Sequence, residues 1–369
     1  MNTIVQPAGI SALDELLAAC PSRIIAEGEK YVIISDLHLG NGGKNDDFRR
    51  NGALFLDILR SWYLPRGYFL ILNGDIEELL RAARSDIVKA WRQIYALFEA
   101  FRAEGRLVWL QGNHEVQPDT IGHFGPVASL NPDDPATLKH PFDGEGLRLL
   151  WQDKTLFIFH GHQAGRLNSG RYNAFIGWFL RVVANGLRIG NYSVANDSEK
   201  KIRIEQAVYG FSRRHGIASI IGHTHRPLFE SLSKHEYLGF QIERLCREYA
   251  QRRGSRRRGE IRQTILHYRD EYIANSHKSE RHLADNVYGE ILIPCLFNAG
   301  CGIGKRGITT MEIKDERMYL IFWSDRARSE RAMDYNEYRS AEDVGGDSFR
   351  FILRRENLDY IFSRIELLR

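Results

Sequence analysis

Residues 31–40, YVIISDLHLG, run from an unbroken apolar stretch into an aspartate and a histidine two positions apart, and how they are read decides the fold. An apolar run this short, rich in β-branched residues and closed by a polar loop ending in glycine, reads as a buried strand. The same arrangement returns four times: YFLILN (68–73) before GDIEELL, RLVWLQ (106–111) before GNHE, TLFIFH (155–160) before GHQ, and IASII (217–221) before GHTH. Five polar motifs therefore stand at the carboxyl ends of five strands. Loops leaving those ends converge on one rim of an α/β sheet, so residues far apart in sequence can share a site there. Between the strands, residues 48–63 and 76–103 are expected to form helices, the second a long one, and the alternation points to an α/β layered core.

The motifs hold one kind of chemistry. Asp36 and His38 have the spacing that puts alternate strand residues on one side. Asp75 follows Gly74, Asn113 and His114 follow Gly112, His160 and His162 flank Gly161, and His223 and His225 flank Thr224 after Gly222. Carboxylates, imidazoles and an amide oxygen, without a thiolate, suit divalent Mn, Fe or Zn in a reactive centre better than a structural zinc site. Asp36, His38, Asp75, Asn113, His160, His223 and His225 make seven candidate ligands, more than one ion needs, which favours a pair of ions.

In this order and each after a strand, D-x-H, G-D, G-N-H-E, H-G-H and G-H-T-H resemble the motifs of the calcineurin-like metallophosphoesterases. The resemblance spans residues 31–227 and 298–323, where FNAGCG is similar to the family's Asn-x-Gly segment. It implies a four-layer sandwich of two mixed β-sheets flanked by helices, with two helical insertions. By position it puts Asp36, His38 and His225 on one metal ion and Asn113, His160 and His223 on the other, with Asp75 bridging; the first histidine of H-G-H is the ligand, so His160 is taken over His162. Two divalent ions, Mn favoured over Fe or Zn, would then supply a metal-bound hydroxide that hydrolyses a phosphomonoester or phosphodiester. His114 takes the position of the histidine that contacts the phosphate and helps the leaving group depart. Glu115 either orients His114 or caps a turn.

Two segments interrupt the strand–helix rhythm, at about 163–216 and 229–290, inside a catalytic domain read as 28–325. Both look helical. In the first, Phe175, Phe179, Val182, Val183 and Leu187 share one helical face, read as a lid packed on the core or as an interfacial helix in peripheral membrane contact. An apolar helical insertion after the fourth motif, together with G-D-x-x-E at 74–78, is similar to the UDP-2,3-diacylglucosamine hydrolase branch of the family and gives the alternative reading, a lipid-linked pyrophosphate hydrolase. The chain departs from that branch in having G-N-H-E where G-N-R-D is usual, and in its second insertion. There, Arg252, Arg253, Arg256, Arg257 and Arg258 read as a solvated basic turn, and sparse aromatics argue against nucleic acid as a partner, although a protein or nucleic-acid phosphatase is the remaining alternative. Residues 326–369 are read as a C-terminal extension with no assigned place.

The bulk numbers agree with an ordinary globular protein. The chain has 369 residues, 43% of them hydrophobic, and a formal net charge of only +4, so any polyanion-binding surface has to be local. Cys20, Cys246, Cys295 and Cys301 are too far apart in sequence to suggest a disulfide framework and read as free thiols of a reducing compartment. The N-terminus does not resemble a secretory signal, and no apolar stretch has the length of a membrane span, so a cytoplasmic location is expected.

Overall fold

The computed structural model describes residues 9–116, 142–165, 198–232, 234–251, 255–276, 292–328, 342–344 and 347–369. In chain order these form α1 (Gly9–Ala19), β1 (Ser22–Ile24), β2 (Lys30–Ile34), α2 (Gly52–Ile58), β3 (Tyr68–Asn73), α3 (Arg84–Ala90), α4 (Arg92–Ala103) and β4 (Leu107–Leu110). Next come β5 (Gly146–Trp151), β6 (Lys154–Phe159), α5 (Ser198–His215), β7 (Ala218–Ile221), α6 (Lys234–Gln251), α7 (Ser255–Ser276) and β8 (Leu296–Asn298). The last elements are β9 (Ile308–Lys314), β10 (Arg317–Asp325), β11 (Glu342–Asp343), β12 (Ser348–Asn357) and α8 (Leu358–Leu368).

The strands make two mixed sheets, one in the order β1-β5-β6-β7-β8 and the other β11-β12-β10-β9-β2-β3-β4. Side-chain alternation explains why both are buried on two faces. From β2, Tyr31 and Ile33 enter a core shared with Leu156 and Ile158 of β6 and Ile220 of β7, so this layer lies between the sheets. Val32 and Ile34 point the other way, into a core with Phe55 of α2 and Ile94, Tyr95, Phe98 and Phe101 of α4. On the far side of the smaller sheet, Phe157 and Phe159 pack with Leu13 of α1 and Ile204, Val208 and Phe211 of α5. Helix, sheet, sheet, helix is the four-layer arrangement expected from the sequence. Among the described residues the first interrupting segment contributes α5 and the second α6 and α7, preceded by a tight bridged turn at Phe229–Leu232. The apolar face at 175–187 lies outside the described residues.

The expected helix at 76–103 is corrected to an irregular turn followed by α3 and α4. The first turn is not helical because the carbonyls of Asp75 and Ile76, which a helix would use four residues on, accept instead from the N–H groups of His38 and Leu39 at 2.9 and 2.8 Å, and Glu78 N–H donates to the Leu39 carbonyl at 3.0 Å. The Glu115 carboxylate takes the free N–H groups of Asp75, Ile76 and Glu77 at 3.1, 3.0 and 3.0 Å. At the break between α3 and α4, Trp91 leaves helical geometry and its Nε1–H donates to the Gly40 carbonyl at 2.9 Å. Likewise 48–63 is three short pieces, a 3-10 turn, α2 and a wider π-type turn, with Asn51 at the first junction donating to the carbonyls of Gly302 and Gly304.

The C-terminal segment joins the larger sheet. β12 pairs antiparallel with β10 from Arg317↔Asn357 to Asp325↔Ser348, and Leu358, Ile361, Phe362 and Ile365 of α8 enter the layer between the sheets. β2, β3 and β4 are mutually parallel, as are β6, β7 and β8, and the carboxyl ends of the two triplets meet. The meeting is direct: the Asn73 amide at the end of β3 donates to the Phe159 carbonyl at the end of β6, at 3.0 Å.

Candidate metal centre

The loops at this junction are held in uncommon conformations. Asp36, His38, Asp75, His223 and His225 all have positive φ, between 49° and 62°. Such backbone costs a non-glycine residue on the order of 1–3 kcal/mol and persists only where the surroundings enforce it. Here the enforcement comes from the neighbouring motifs: Asp36 N–H donates to the Gly74 carbonyl, His38 N–H to Asp75, and Gly222 N–H to His160. Packing leaves no room for a Cβ at two of the glycines. At Gly222 it would lie 1.8 Å from Ser35 Oγ and 2.5 Å from Asp36 Oδ2, and at Gly112 it would lie 2.2 Å from both the backbone nitrogen and Oδ1 of Asp75.

Three groups of donor atoms result, each with its atoms within 4.8 Å of one another: two are the triads Asp36, His38 and His225, and Asp75, His160 and His223, and the third, His38, Glu78 and His114, branches from His38. In the first, Asp36 Oδ1 is 3.0 Å from His225 Nε2, and the Nε2 atoms of His38 and His225 face each other at 3.2 Å. His38 Nδ1 lies 3.1 Å from Glu78 Oε2. A carboxylate only accepts, so the proton sits on Nδ1 and leaves Nε2 its lone pair. In the second triad, His160 Nδ1 donates to the Asn73 carbonyl at 2.9 Å and its Nε2 faces Asp75 Oδ2 at 3.1 Å. Asp75 sits between the triads: the same Oδ2 is 4.0 Å from His38 Nε2 and 3.9 Å from His114 Nε2. The buried Asp36 Oδ1, Asn113 Oδ1 and His160 Nε2 have no hydrogen-bond partner among the described residues.

The electrostatics follow this crowding. Burial opposes charge on Asp36, but His225 and His160 outweigh it and hold the carboxyl at about 2; Asp75, beside His160 and His114, is pushed well below the usual range. His160 rises to about 9 against its burial because Asp75 and Asp36 face it, whereas burial and the adjacent His160 push His223 down to about 3.

His114 meets the centre from the third motif. Its backbone N–H donates to Asp75 Oδ1 at 2.8 Å, and its Nδ1 lies 3.0 Å from both oxygens of Glu78. Burial disfavours the imidazolium, but Asp75 and Glu78 overcome that and raise His114 to about 9. The carboxylate that holds His114 is therefore Glu78. Of the two roles read for Glu115, the structure supports the turn cap: besides the three N–H groups after Gly74, it accepts from Gly112 N–H at 2.8 Å. Sequence reading assigned no role to Glu78, Ser35 or Asn73. Glu78 had a signal in the G-D-x-x-E spacing, whereas Ser35 and Asn73 are strand-end polar residues whose part depends on the meeting of the two sheets. Asn298 of FNAGCG donates to the Gly222 carbonyl at 2.9 Å, so that segment supports the fifth motif.

The donor set fits divalent metal ions. Hard and borderline donors converge, no thiol joins either triad among the described residues, and the buried oxygens Asp36 Oδ1 and Asn113 Oδ1 are atoms that a cation would satisfy. All four cysteines are free, and among the described residues no helix is long and apolar enough to cross a membrane.

Of the comparisons with known proteins, the family model agrees with this chemistry. Among solved structures, vacuolar protein sorting 29 from Cryptosporidium parvum is similar at 10% sequence identity and a TM-score of 0.37, covering 90% of this chain and 100% of that one. No curated protein matches the chain. The family model for calcineurin-like phosphoesterases matches residues 29–227, more than half of the chain and all five motifs. With two facing sheets, their joined carboxyl ends and a cluster of metal-ligand side chains, the chain belongs to the calcineurin-like phosphoesterase family, whose members are metal-dependent phosphoesterases.

Proposed function

We propose that the protein is a dinuclear phosphoesterase hydrolysing a phosphomonoester or phosphodiester. Asp36, His38 and His225 would hold one ion, Asn113, His160 and His223 the other, and Asp75 would bridge them, with Mn favoured over Fe or Zn. The observation that carries this reading is the convergence of two donor triads beside the buried oxygens Asp36 Oδ1 and Asn113 Oδ1, neither of which, among the described residues, accepts a hydrogen bond from outside the cluster. Ions held there would activate a water and neutralise charge on the phosphate oxygens.

The chain's own residues supply the rest. Glu78 takes the Nδ1–H of His114 and directs its Nε2–H across Asp75 toward the centre, where it can protonate the departing oxygen. Glu78 likewise fixes the tautomer of His38, and the Asn73 carbonyl fixes that of His160. Ser35 Oγ, bonded to Asp36 Oδ2 and to the Asn73 carbonyl, holds the Asp36 carboxylate in place. The substrate is a phosphate ester of a small molecule met in the cytoplasm. No observation among the described residues favours the lipid-linked alternative, whose apolar helix falls outside them, or a nucleic-acid substrate.

The test is hydrolysis of p-nitrophenyl phosphate and bis-p-nitrophenyl phosphate by metal-stripped protein resupplied with Mn, with Asp75→Asn as control. Activity should return with metal and be lost in the variant, and the preferred ester separates monoesterase from diesterase. Metal-loaded protein that cleaves neither ester would count against the reading.

A further inference from the structure

α5 carries a buried carboxylate that belongs to none of the five motifs. Glu205 is fully buried, next in the helix to Ile204 of the outer core. Its Oε1 accepts from Thr224 Oγ1 at 2.8 Å and from Arg226 Nε at 3.3 Å, and its Oε2 accepts from Arg226 Nη2. Both partners lie in the loop 222–226, and they flank His225. Thr224 also stands between the two histidines of the fifth motif, which have φ of 62° and 55°. The contact continues inward: Asn298 Nδ2 donates to Thr224 Oγ1 at 2.8 Å and to the Gly222 carbonyl at 2.9 Å, and Asn298 Oδ1 accepts from Gly300 N–H at 2.8 Å.

Two successive ligand-type histidines in left-handed backbone, separated by one residue, need restraint from outside the loop, because nothing in their own conformational preference keeps them there. Burying a carboxylate is costly unless it is paired and hydrogen-bonded. Glu205 is both, and the groups that satisfy it come from this loop. We infer that Glu205 is a positioning residue of the metal centre: through Thr224 and Arg226 it clamps the loop on either side of His225, and through Thr224 and Asn298 it fixes the turn that carries His223. The inference rests on the metal-centre reading of the preceding section and adds a residue to it from the helix that leads out of the first insertion. A Glu205 that only stabilised the fold would leave the donor geometry unchanged when removed.

The test is Co(II) titration of the metal-stripped full chain, followed by calorimetry and by the visible absorption of the bound ion, for wild type, Glu205→Ala, Glu205→Gln and Thr224→Val. Urea unfolding of each metal-free protein is measured alongside. Loss of an outer partner of a ligand typically costs about 10–100-fold in metal affinity, so E205A and T224V should each bind Co(II) about 10–100-fold more weakly, with an altered absorption band. E205Q, whose amide oxygen can still accept from Thr224, should recover most of the affinity. The inference is overturned if E205A loses metal-free stability but binds Co(II) with wild-type affinity and band. Should E205A fail to fold, T224V decides by the same two readouts, since it removes a single hydroxyl. If wild type itself takes up no Co(II), the metal-centre reading falls and takes the role of Glu205 with it; a wild type that binds beside variants that bind equally well removes only the Glu205 inference.

Discussion

Glu78 faces the imidazoles of His38 and His114 at once, so it couples the orientation of a ligand to the charge of the proposed acid. Removing its charge in Glu78→Gln takes away one of the groups that raise His114 above its ordinary value, so the His114 pKa must fall. An acid works while protonated, so the alkaline limb of kcat/KM should move to lower pH, with activity down by about 10–100-fold; a pH–rate profile reads both. Against its burial, the facing Asp75 and Asp36 raise His160 to about 9 in the metal-free chain, and a ligand nitrogen must be free of its proton. Metal uptake at pH 7 should therefore release protons, and apparent affinity should rise with pH up to about 9; calorimetry in buffers of different ionisation heat measures the proton count. Gly222→Ala should displace the Asp36 carboxylate and weaken metal binding by at least about tenfold. Gly210→Ala in α5, where a Cβ meets nothing within 4 Å, should instead stabilise the protein by about 0.5–1 kcal/mol in urea unfolding. Asp36, His38 and the other motif residues were legible because their types and spacing encode the chemistry. Ser35 and Asn73 were not, because the contacts that tie them to the centre, Ser35 to the Asn73 carbonyl and Asn73 to the Phe159 carbonyl and His160, form only on folding.

β12 shows why one element escaped the sequence. Its inward positions include Arg350, fully buried, where a strand pattern leads one to expect an apolar residue. The guanidinium binds Glu312 of β9 through Nε and Nη2 and Glu342 of β11 through Nη1, and lies 5.2 Å from the Trp62 ring. Arg350→Ala would leave Glu312 charged and buried without its partner, at a cost of about 3–5 kcal/mol, which equilibrium urea denaturation should show as a lowered midpoint with metal-binding residues intact. The β9–β10 hairpin, by contrast, follows a local rule: Asp315 and Glu316 both have positive φ, the two-residue turn whose twist matches its strands. The over-long helix expected at 76–103 is a failure of the same kind as β12, since its start is claimed by the distant first motif: the N–H groups of His38 and Leu39 take the carbonyls of Asp75 and Ile76 that a first turn would use.

In the molecule as a whole, the layers were readable because five apolar runs with polar ends leave few ways to bury both faces of a sheet. The place of the C-terminal segment was not, since it depends on pairing with β10 and on α8 closing the layer between the sheets. A chain ended at residue 341 would expose the Met318 and Leu320 side of that layer and lose Leu358, Ile361, Phe362 and Ile365, so it should be recovered as aggregate or without near-UV circular dichroism. The meeting of the two parallel triplets has one more consequence. Asp36 and Asp75 leave the larger sheet while His160 and His223 leave the smaller, so an ion held by them would act as a rivet through two plates that otherwise adhere by their apolar faces and a few hydrogen bonds at the rim, such as Asn73 to Phe159. At a hundred times its dissociation constant, such an ion would add about 2.7 kcal/mol against unfolding. Mutations buried between the sheets and far from any ligand should therefore be felt as a change in metal affinity, and the loaded protein should come apart in a single step where the stripped one begins to part along the seam.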